Sequence, residues 1–410
     1  MSSLYLWDDS TAELFAPFTL TRPVSELRAG ALLIRERWER AFQLTAGGFV
    51  AAPHLDHFDE AGAPGATILV PAGSIVANSR FLPSLAAGGG TMMGDVARDT
   101  TVWRAGGHVA AIRLSRDVHA SELRAADSLD TFHPAAVERS EEELSGRWLD
   151  APWELIGILE EQLAEDILAL APSIVTAPTT GLTILGKHRV IVEEGATVEP
   201  FTCLDATAGP ILIRAGATIS SFTRLVGPCM IGEGSTVLGG RVARVSIGER
   251  CKINGDVSHV VMLAYSNKGH EGFVGHSYMG RWVNLGAGTT TSNLKNTYGS
   301  VSLWTPRGYR DTGLQFLGTM FGDHAKTGIG TCLSTGTVLG AGANVFGGGM
   351  PPRAVPPFAW GSDEPYAVYD LERFITVAGR VMARRGVELG EQGRRQLTAA
   401  HNARSAGADS

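Results

Sequence analysis

The chain has 410 residues, of which 19% are charged and 44% hydrophobic, with a formal net charge of −7. Such a composition belongs to a folded protein of more than one domain, and it excludes a disordered chain or a nucleic-acid binder acting through bulk positive charge. The longest apolar runs, such as Val260-Val261-Met262-Leu263, are too short to cross a bilayer, and Met1 to Asp8 lacks the basic flank and apolar stretch of a secretion signal, so a cytoplasmic protein without a membrane partner is expected.

In chain order, residues 1–150 predict an α/β domain, with short strands at Leu4-Tyr5-Leu6 and Ile75-Val76-Ala77 and a helix from Arg28 to Phe42. Residues 151–180 predict a helix and linker. Asp150-Ala151-Pro152-Trp153 reads as a helix start, with Asp150 as N-cap and Pro152 in the first turn. Leu155, Ile156, Leu159, Leu163, Ile167 and Leu170 then follow helical spacing. Residues 362–410 predict a polar helical tail, roughly Tyr369 to Arg385 and Glu391 to Ala403.

Between them, residues 181–361 repeat with a period of six. Large apolar residues recur at Val192, Val198 and Leu204, at Ile213, Ile219, Leu225, Ile231 and Val237, and at Ile247 and Ile253. They recur again at Phe273, Met279 and Leu285, and at Leu333, Leu339 and Val345. Four residues after most of them stands a smaller one, Ala217, Thr223, Cys229, Ser235 and Cys251 among them. A helix alternates steps of three and four, and a strand alternates over a short window; a sustained step of six needs a coil with flat six-residue faces. The prediction is an all-β left-handed parallel β-helix, whose coils bury their apolar edge only by stacking. Cys229 and Cys251 occupy small inward positions and should be buried; Cys203 and Cys332 show no metal or redox spacing, and all four are read as reduced thiols. Residues 259–272 and 294–314 break the rhythm and are expected to be loops that leave the coil, natural places for a site.

Two segments carry a resemblance. Lys268-Gly269-His270-Glu271-Gly272-Phe273-Val274-Gly275 and Val283-Asn284-Leu285-Gly286-Ala287-Gly288-Thr289, running on to Asn293, resemble the acetyltransferase domain of the bifunctional uridylyltransferase/glucosamine-1-phosphate acetyltransferases and related archaeal sugar-nucleotide enzymes. That family has a Gly-His-x-x-Tyr segment followed by Asn-(Ile/Leu)-Gly-Ala-Gly-Thr and a later Asn. The resemblance implies that His270 is the catalytic base, with Asn284 and Asn293 in contact with substrate. Phe273 stands where a substrate-contacting Tyr is expected, and Gly299 stands at a substrate Lys position, for which Lys295 is the nearby substitute. His276 lies six residues from His270 and competes for the same role. The implied chemistry is His-assisted acetyl or acyl transfer from acetyl-CoA to an amino sugar phosphate or sugar nucleotide, in a homotrimer. Direct attack on a thioester needs a base for the amine proton and donors for the oxyanion, and His suits the first because its ordinary pKa is near neutrality.

The N-terminal half resembles sugar-phosphate nucleotidyltransferases at Phe18-Thr19-Leu20-Thr21-Arg22-Pro23, like their Leu-Thr-x-x-Pro-Lys stretch, but Val24 replaces the Lys. The Gly-rich phosphate loop is replaced by Asp8-Asp9-Ser10-Thr11-Ala12-Glu13-Leu14, and Arg80 replaces a carboxylate expected to bind metal. Asp95 is the remaining candidate ligand, Arg22 and Arg28 are candidate phosphate contacts, and Mg²⁺ is implied only if this domain is active; no other metal is expected. Two alternatives stay open: a sugar-1-phosphate nucleotidyltransferase with an altered phosphate loop, and a non-catalytic trimer that binds sugar nucleotide.

Overall fold

The computed structural model describes residues 3–85, 100–130 and 140–404. The chain divides into two compact units: Met1–Phe15, Thr19–Pro152 and Gly390–Ala403 form one, and Ala16–Phe18, Trp153–Leu389 and Arg404–Ser410 the other.

The first unit is built on a six-stranded sheet. Leu4–Trp7 pairs in parallel with both Ala46–Val50 and Ile75–Asn78, and His108–Arg113 adds antiparallel to the latter. Thr100–Ala105 and Ser140–Glu143 complete the order. Alternation places Trp7, Val50, Val76, Val109 and Ile112 in one apolar cluster. The helix expected from Arg28 begins only at Ile34 and ends at Phe42. Residues 28–33 instead make a two-stranded hairpin, Arg28–Ala29 against Leu32–Leu33, because Gly30 takes a φ of 65° and turns the chain. The Leu33 amide then donates to Glu36 Oε2 at 2.8 Å, which caps the helix start. The tail is not one piece. The helix Leu371–Ala383 belongs to the second unit, whereas Glu391–Ala403 belongs to the first, where Gln396 donates to the Thr21 carbonyl at 2.8 Å.

The second unit is a parallel β-helix with the six-residue faces that the hexads predict. Each short strand pairs in parallel with the strand one coil later, as in Val190↔Ile211↔Cys229 and Lys326↔Asn344. Its interior holds Leu204, Ile213, Ile219, Leu225, Ile231, Val237, Ile247, Ile253, Met279, Leu285, Leu333, Leu339 and Val345 in one cluster, with Cys229 and Cys251 fully buried among them. Phe273 departs from this phase: it pairs with exposed Asp256 on the outer surface, and Val274 turns inward. Residues 259–272 do not leave the coil. Lys252–Met262 is one continuous strand bent at His259, and Asn267–Lys268 is the next face. The coils here are shorter, so the hexad slips without a loop. Residues 294–314 do leave, as a hairpin of Ser302–Thr305 against Gly308–Asp311, closed by a bridge between Leu294 and Phe316.

The linker helices Glu154–Gly157 and Leu159–Leu170 bury Leu155, Leu159, Leu163 and Ile167. Asp150 is not their N-cap. Its carboxylate pairs with Arg80 at 2.8 Å within the first unit, and the helix starts after Trp153.

Candidate functional site

A parallel β-helix turns three corners per coil, and several corners here are made by non-glycine residues with left-handed backbone. Arg244, His259 and His276 have φ of 53°, 55° and 47° at successive levels of one corner. This conformation costs an L-residue roughly 1–2 kcal/mol. Side chains at stacked corners project side by side, so the His259 and His276 rings lie parallel, with centroids 4.2 Å apart and 12° between planes. On its other face His276 meets Phe316, at 5.3 Å and 25°.

The polar edges of this stack are occupied. Asn293 Nδ2 lies 2.8 Å from His276 Nδ1. Both groups are two-ended: with the amide oxygen turned to the ring, Nδ1–H donates and Nε2 keeps the lone pair that a base requires. His259 Nδ1 is 2.8 Å from Ser258 Oγ, and its Nε2 is 2.8 Å from Glu160 Oε1 on the linker helix. Glu160 Oε2 is in turn 2.8 Å from Arg244 Nε. Burial, then the neighbouring His259 and Arg244, push the His276 imidazole down to about 3, so it is neutral at pH 7. Burial also lowers His259, against the pull of Glu160.

Close packing fixes the rest of the corner. A Cβ on Gly275 would lie 2.4 Å from Phe273 Cζ and 2.8 Å from Asn293 Nδ2, so only glycine lets the Phe273 ring and the Asn293 amide approach the strand that carries His276.

Of the residues singled out from sequence, the structure brings together His276, Asn293 and Phe273. It does not join His270 to them. His270 is exposed, its imidazole makes no hydrogen bond among the described residues, and its carbonyl accepts from the buried Lys268 ammonium. Asn284 lies on a coil face, where its Oδ1 accepts from Asn267 at 2.9 Å and its register neighbour is Lys326. Lys295 folds back onto its own excursion, donating to the Ser300 carbonyl at 2.5 Å. His259, Glu160 and Phe316 were not foreseen. His259 stood in plain view one coil before His276, but a corner pairing is visible only once coil length is known; nothing in the sequence marks Glu160 or Phe316.

In the first unit, Asp8 and Asp9 follow Leu4–Trp7, and Asn78-Ser79-Arg80 end the neighbouring parallel strand, the place where open parallel sheets bind ligands. Here that place is filled by the protein itself. Arg80 grips Asp9 through Nη2 at 2.7 Å and Nε at 2.8 Å, and Asn78 donates to Asp9 at 2.9 Å. Burial pushes the Asp8 carboxyl up to about 7. Thus the two departures noted above, Asp9 for a loop glycine and Arg80 for a carboxylate, are one ion pair. The donor set does not fit Mg²⁺: Asp9 is committed to a cation, and among the described residues no group of three His, Cys, Asp or Glu side chains converges. Asp95 lies outside the described residues. Arg22 is not a phosphate contact in this structure, because its buried guanidinium is held by Glu60 at 2.6 and 3.0 Å; Arg28 is buried too, donating to the Ala31 carbonyl.

Residues 4–173 match the sugar nucleotidyl transferase family. A bifunctional sugar-1-phosphate nucleotidylyltransferase/acetyltransferase of Sulfurisphaera tokodaii is 28% identical over 215 residues, which is 52% of this chain and 48% of that protein. The bifunctional protein GlmU of a Synechococcus species is 28% identical over 112 residues, 27% of this chain and 21% of its own. The matched stretches thus span about half the length of the first relative and about a fifth of the second. A solved mutant of AntD, a Bacillus cereus N-acyltransferase, matches 50% of this chain and 92% of its own at 11% identity, with a TM-score of 0.22, too loose a superposition to bear on function. Residues 4–173, less than half of the chain, are thus similar to sugar nucleotidyl transferases, and the chain shares low-identity similarity with bifunctional sugar-1-phosphate nucleotidylyltransferase/acetyltransferases.

Proposed function

We propose that the β-helix unit transfers an acetyl or other acyl group from acetyl-CoA to the amine of an amino sugar phosphate or sugar nucleotide, with His276 rather than His270 as the base. The observation that carries this is the clamped imidazole: His276 is held on both faces and fixed at Nδ1 by Asn293, and its Nε2 makes no hydrogen bond among the described residues. In the orientation where Asn293 Oδ1 accepts from Nδ1–H, Nε2 takes the proton as the amine nitrogen bonds to the thioester carbon. The C–S bond then breaks, and CoA leaves as the thiol. Gly275-His276-Ser277-Tyr278 also answers to the Gly-His-x-x-Tyr segment with one residue fewer, which places buried Tyr278 rather than Phe273 at the tyrosine position.

The test is thiol release from acetyl-CoA across a panel of amino sugar phosphates and sugar nucleotides. With the best acceptor, His276→Ala should lose on the order of 10²–10⁴ in kcat, and His270→Ala should stay within a few-fold of the parent. An inactive His270→Ala beside an active His276→Ala would return the base to His270 and leave the clamp without a catalytic meaning.

The family match over residues 4–173 favours a second reading, nucleotidyl transfer by the first unit. The Asp9–Arg80 pair argues that this unit is a poor catalyst of it. Pyrophosphate release from nucleoside triphosphate and sugar phosphate at ordinary enzyme rates would overturn that judgement. A homotrimer in the cytoplasm belongs to the same proposal; among the described residues no helix is long and apolar enough to cross a membrane, and a monomer by sedimentation at micromolar concentration would refute the trimer.

A further inference from the structure

A base that begins neutral must become cationic during the reaction, and the corner around His276 is arranged against a second positive charge. Arg244 stands two levels away in the same column, Arg241 lies on the strand that leads to it, and His259 is stacked directly against the ring. Arg241 is turned to Asp256 at 3.3 Å, and the neighbours from the excursion, Asn293 and Phe316, carry no charge. Among the described residues, the carboxylate that meets the column is Glu160, which reaches it from the linker helix rather than from the coil.

We propose that Glu160, acting through His259, is a positioning residue for His276: it holds the His259 ring in the plane on which His276 stacks and supplies the negative charge that lets His276 accept a proton. Three contacts carry this. Glu160 spends one oxygen on His259 Nε2 and the other on Arg244 Nε, both at 2.8 Å, so it neutralises the arginine and orients the imidazole together. Ser258 Oγ fixes the opposite nitrogen of His259, so the ring cannot flip away from the stack. The 4.2 Å, 12° stack then passes that orientation to His276. His259 stays uncharged throughout, because two cationic rings at this separation repel strongly. The linker helix is thereby part of the site, and not merely a connection between the units.

This inference rests on the acyl-transfer reading, so the experiment has one arm that needs no activity. In the full-length protein, modification of each histidine by diethyl pyrocarbonate is followed by peptide mass spectrometry from pH 4 to 8. This reagent attacks neutral imidazole. Glu160→Gln keeps the shape and removes the charge, so the His259 titration midpoint should fall by at least about one pH unit. In the second arm, Glu160→Gln should lower kcat about tenfold with the KM for acetyl-CoA changed less than twofold, and Glu160→Asp should recover most of the loss. Thermal melting is followed in parallel, so that an unfolded variant is recognised and Glu160→Asp carries the comparison. An unchanged His259 midpoint overturns the proposal, as does an unchanged kcat when the midpoint has moved. A parent protein that acylates no acceptor overturns the acyl-transfer reading instead, and the modification arm still decides whether Glu160 governs His259.

Discussion

Lys326 gives the stability of the β-helix a testable sign. Its ammonium donates to the His324 carbonyl at 2.9 Å, and no carboxylate pairs with it among the described residues. Burial alone pushes it from 10.5 down to about 8. Folding therefore disfavours its charged form. Below the folded pKa the lysine is protonated in both states and the folded state bears the full desolvation cost. Between about 8 and 10.5 the unfolded chain still binds the proton and the folded one does not, so stability rises with pH through that window. At 1.36 kcal/mol per pH unit, the cost at pH 7 is at most about 3 kcal/mol. Lys326→Met removes this cost, while leaving the His324 carbonyl short of one donor takes back about 1 kcal/mol. The net expectation is a gain of about 1–2 kcal/mol at pH 7, or roughly 2–6 °C in the melting transition of a unit this size. The assay is calorimetric or fluorescence melting of parent and variant at pH 7, 8, 9 and 10. The difference should be largest at pH 7 and close as pH approaches 10. A variant that is less stable at pH 7, or a difference that does not change with pH, refutes the reasoning.

Three other outcomes are expected. Gly275→Ala places a methyl 2.4 Å from the Phe273 ring and 2.8 Å from the Asn293 amide; overpacking of this kind costs about 1–3 kcal/mol, and displacement of Asn293 should cut acyl transfer at least tenfold, so a variant with parental activity contradicts the clamp. Cys229 is fully buried with its thiol pushed up to about 12, and Cys251 is buried in the same coil interior; neither should react with a thiol reagent on the timescale that labels exposed Cys332, and fast labelling of either would show that the coil opens. Arg80→Met strands the buried Asp9 carboxylate and should destabilise the first unit by about 3–5 kcal/mol, while adding Asp9→Asn should recover most of it, because removing one partner of a buried pair costs more than replacing both; a double variant no more stable than the single would show that a stranded carboxylate is not the cause of the loss.

The architecture of the second unit was legible because hexad periodicity is a property of the chain alone. Ile213 through Val237 and Leu333 through Val345 fall inward as the spacing requires. Legibility ended where coils shorten. Coil length between Ile247 and Phe273 departs from eighteen residues, so counting back in sixes from Leu285 and Met279 put Phe273 inside and left 259–272 as a loop. The same slip bears on the base: His270 and His276 are equivalent to a six-residue ruler, and only the stacked coils tell an exposed strand end from a corner. Asn293 was singled out for a role with substrate, and the structure gives it His276 as a partner. In the first unit, Asp9 and Arg80 each looked like a loss when read singly, since no local pattern joins residues so far apart in sequence. The helix expected from Arg28 failed for a local reason, because Gly30 permits a turn that an apolar count does not see.

The excursion between Leu294 and Phe316 has ends that touch. An insert whose two feet stand together costs the coil little however long it grows, since closing entropy rises only slowly with length. Phe316, one of those feet, and Asn293, next to the other, are the residues that grip His276 on its face and at its edge. The tip, with exposed Tyr309, is therefore free to be lengthened, shortened or exchanged without touching the clamp, while a single added residue at either foot would loosen it. Chemistry and whatever the tip meets can change independently in this protein, and the point of separation is the neck of one hairpin.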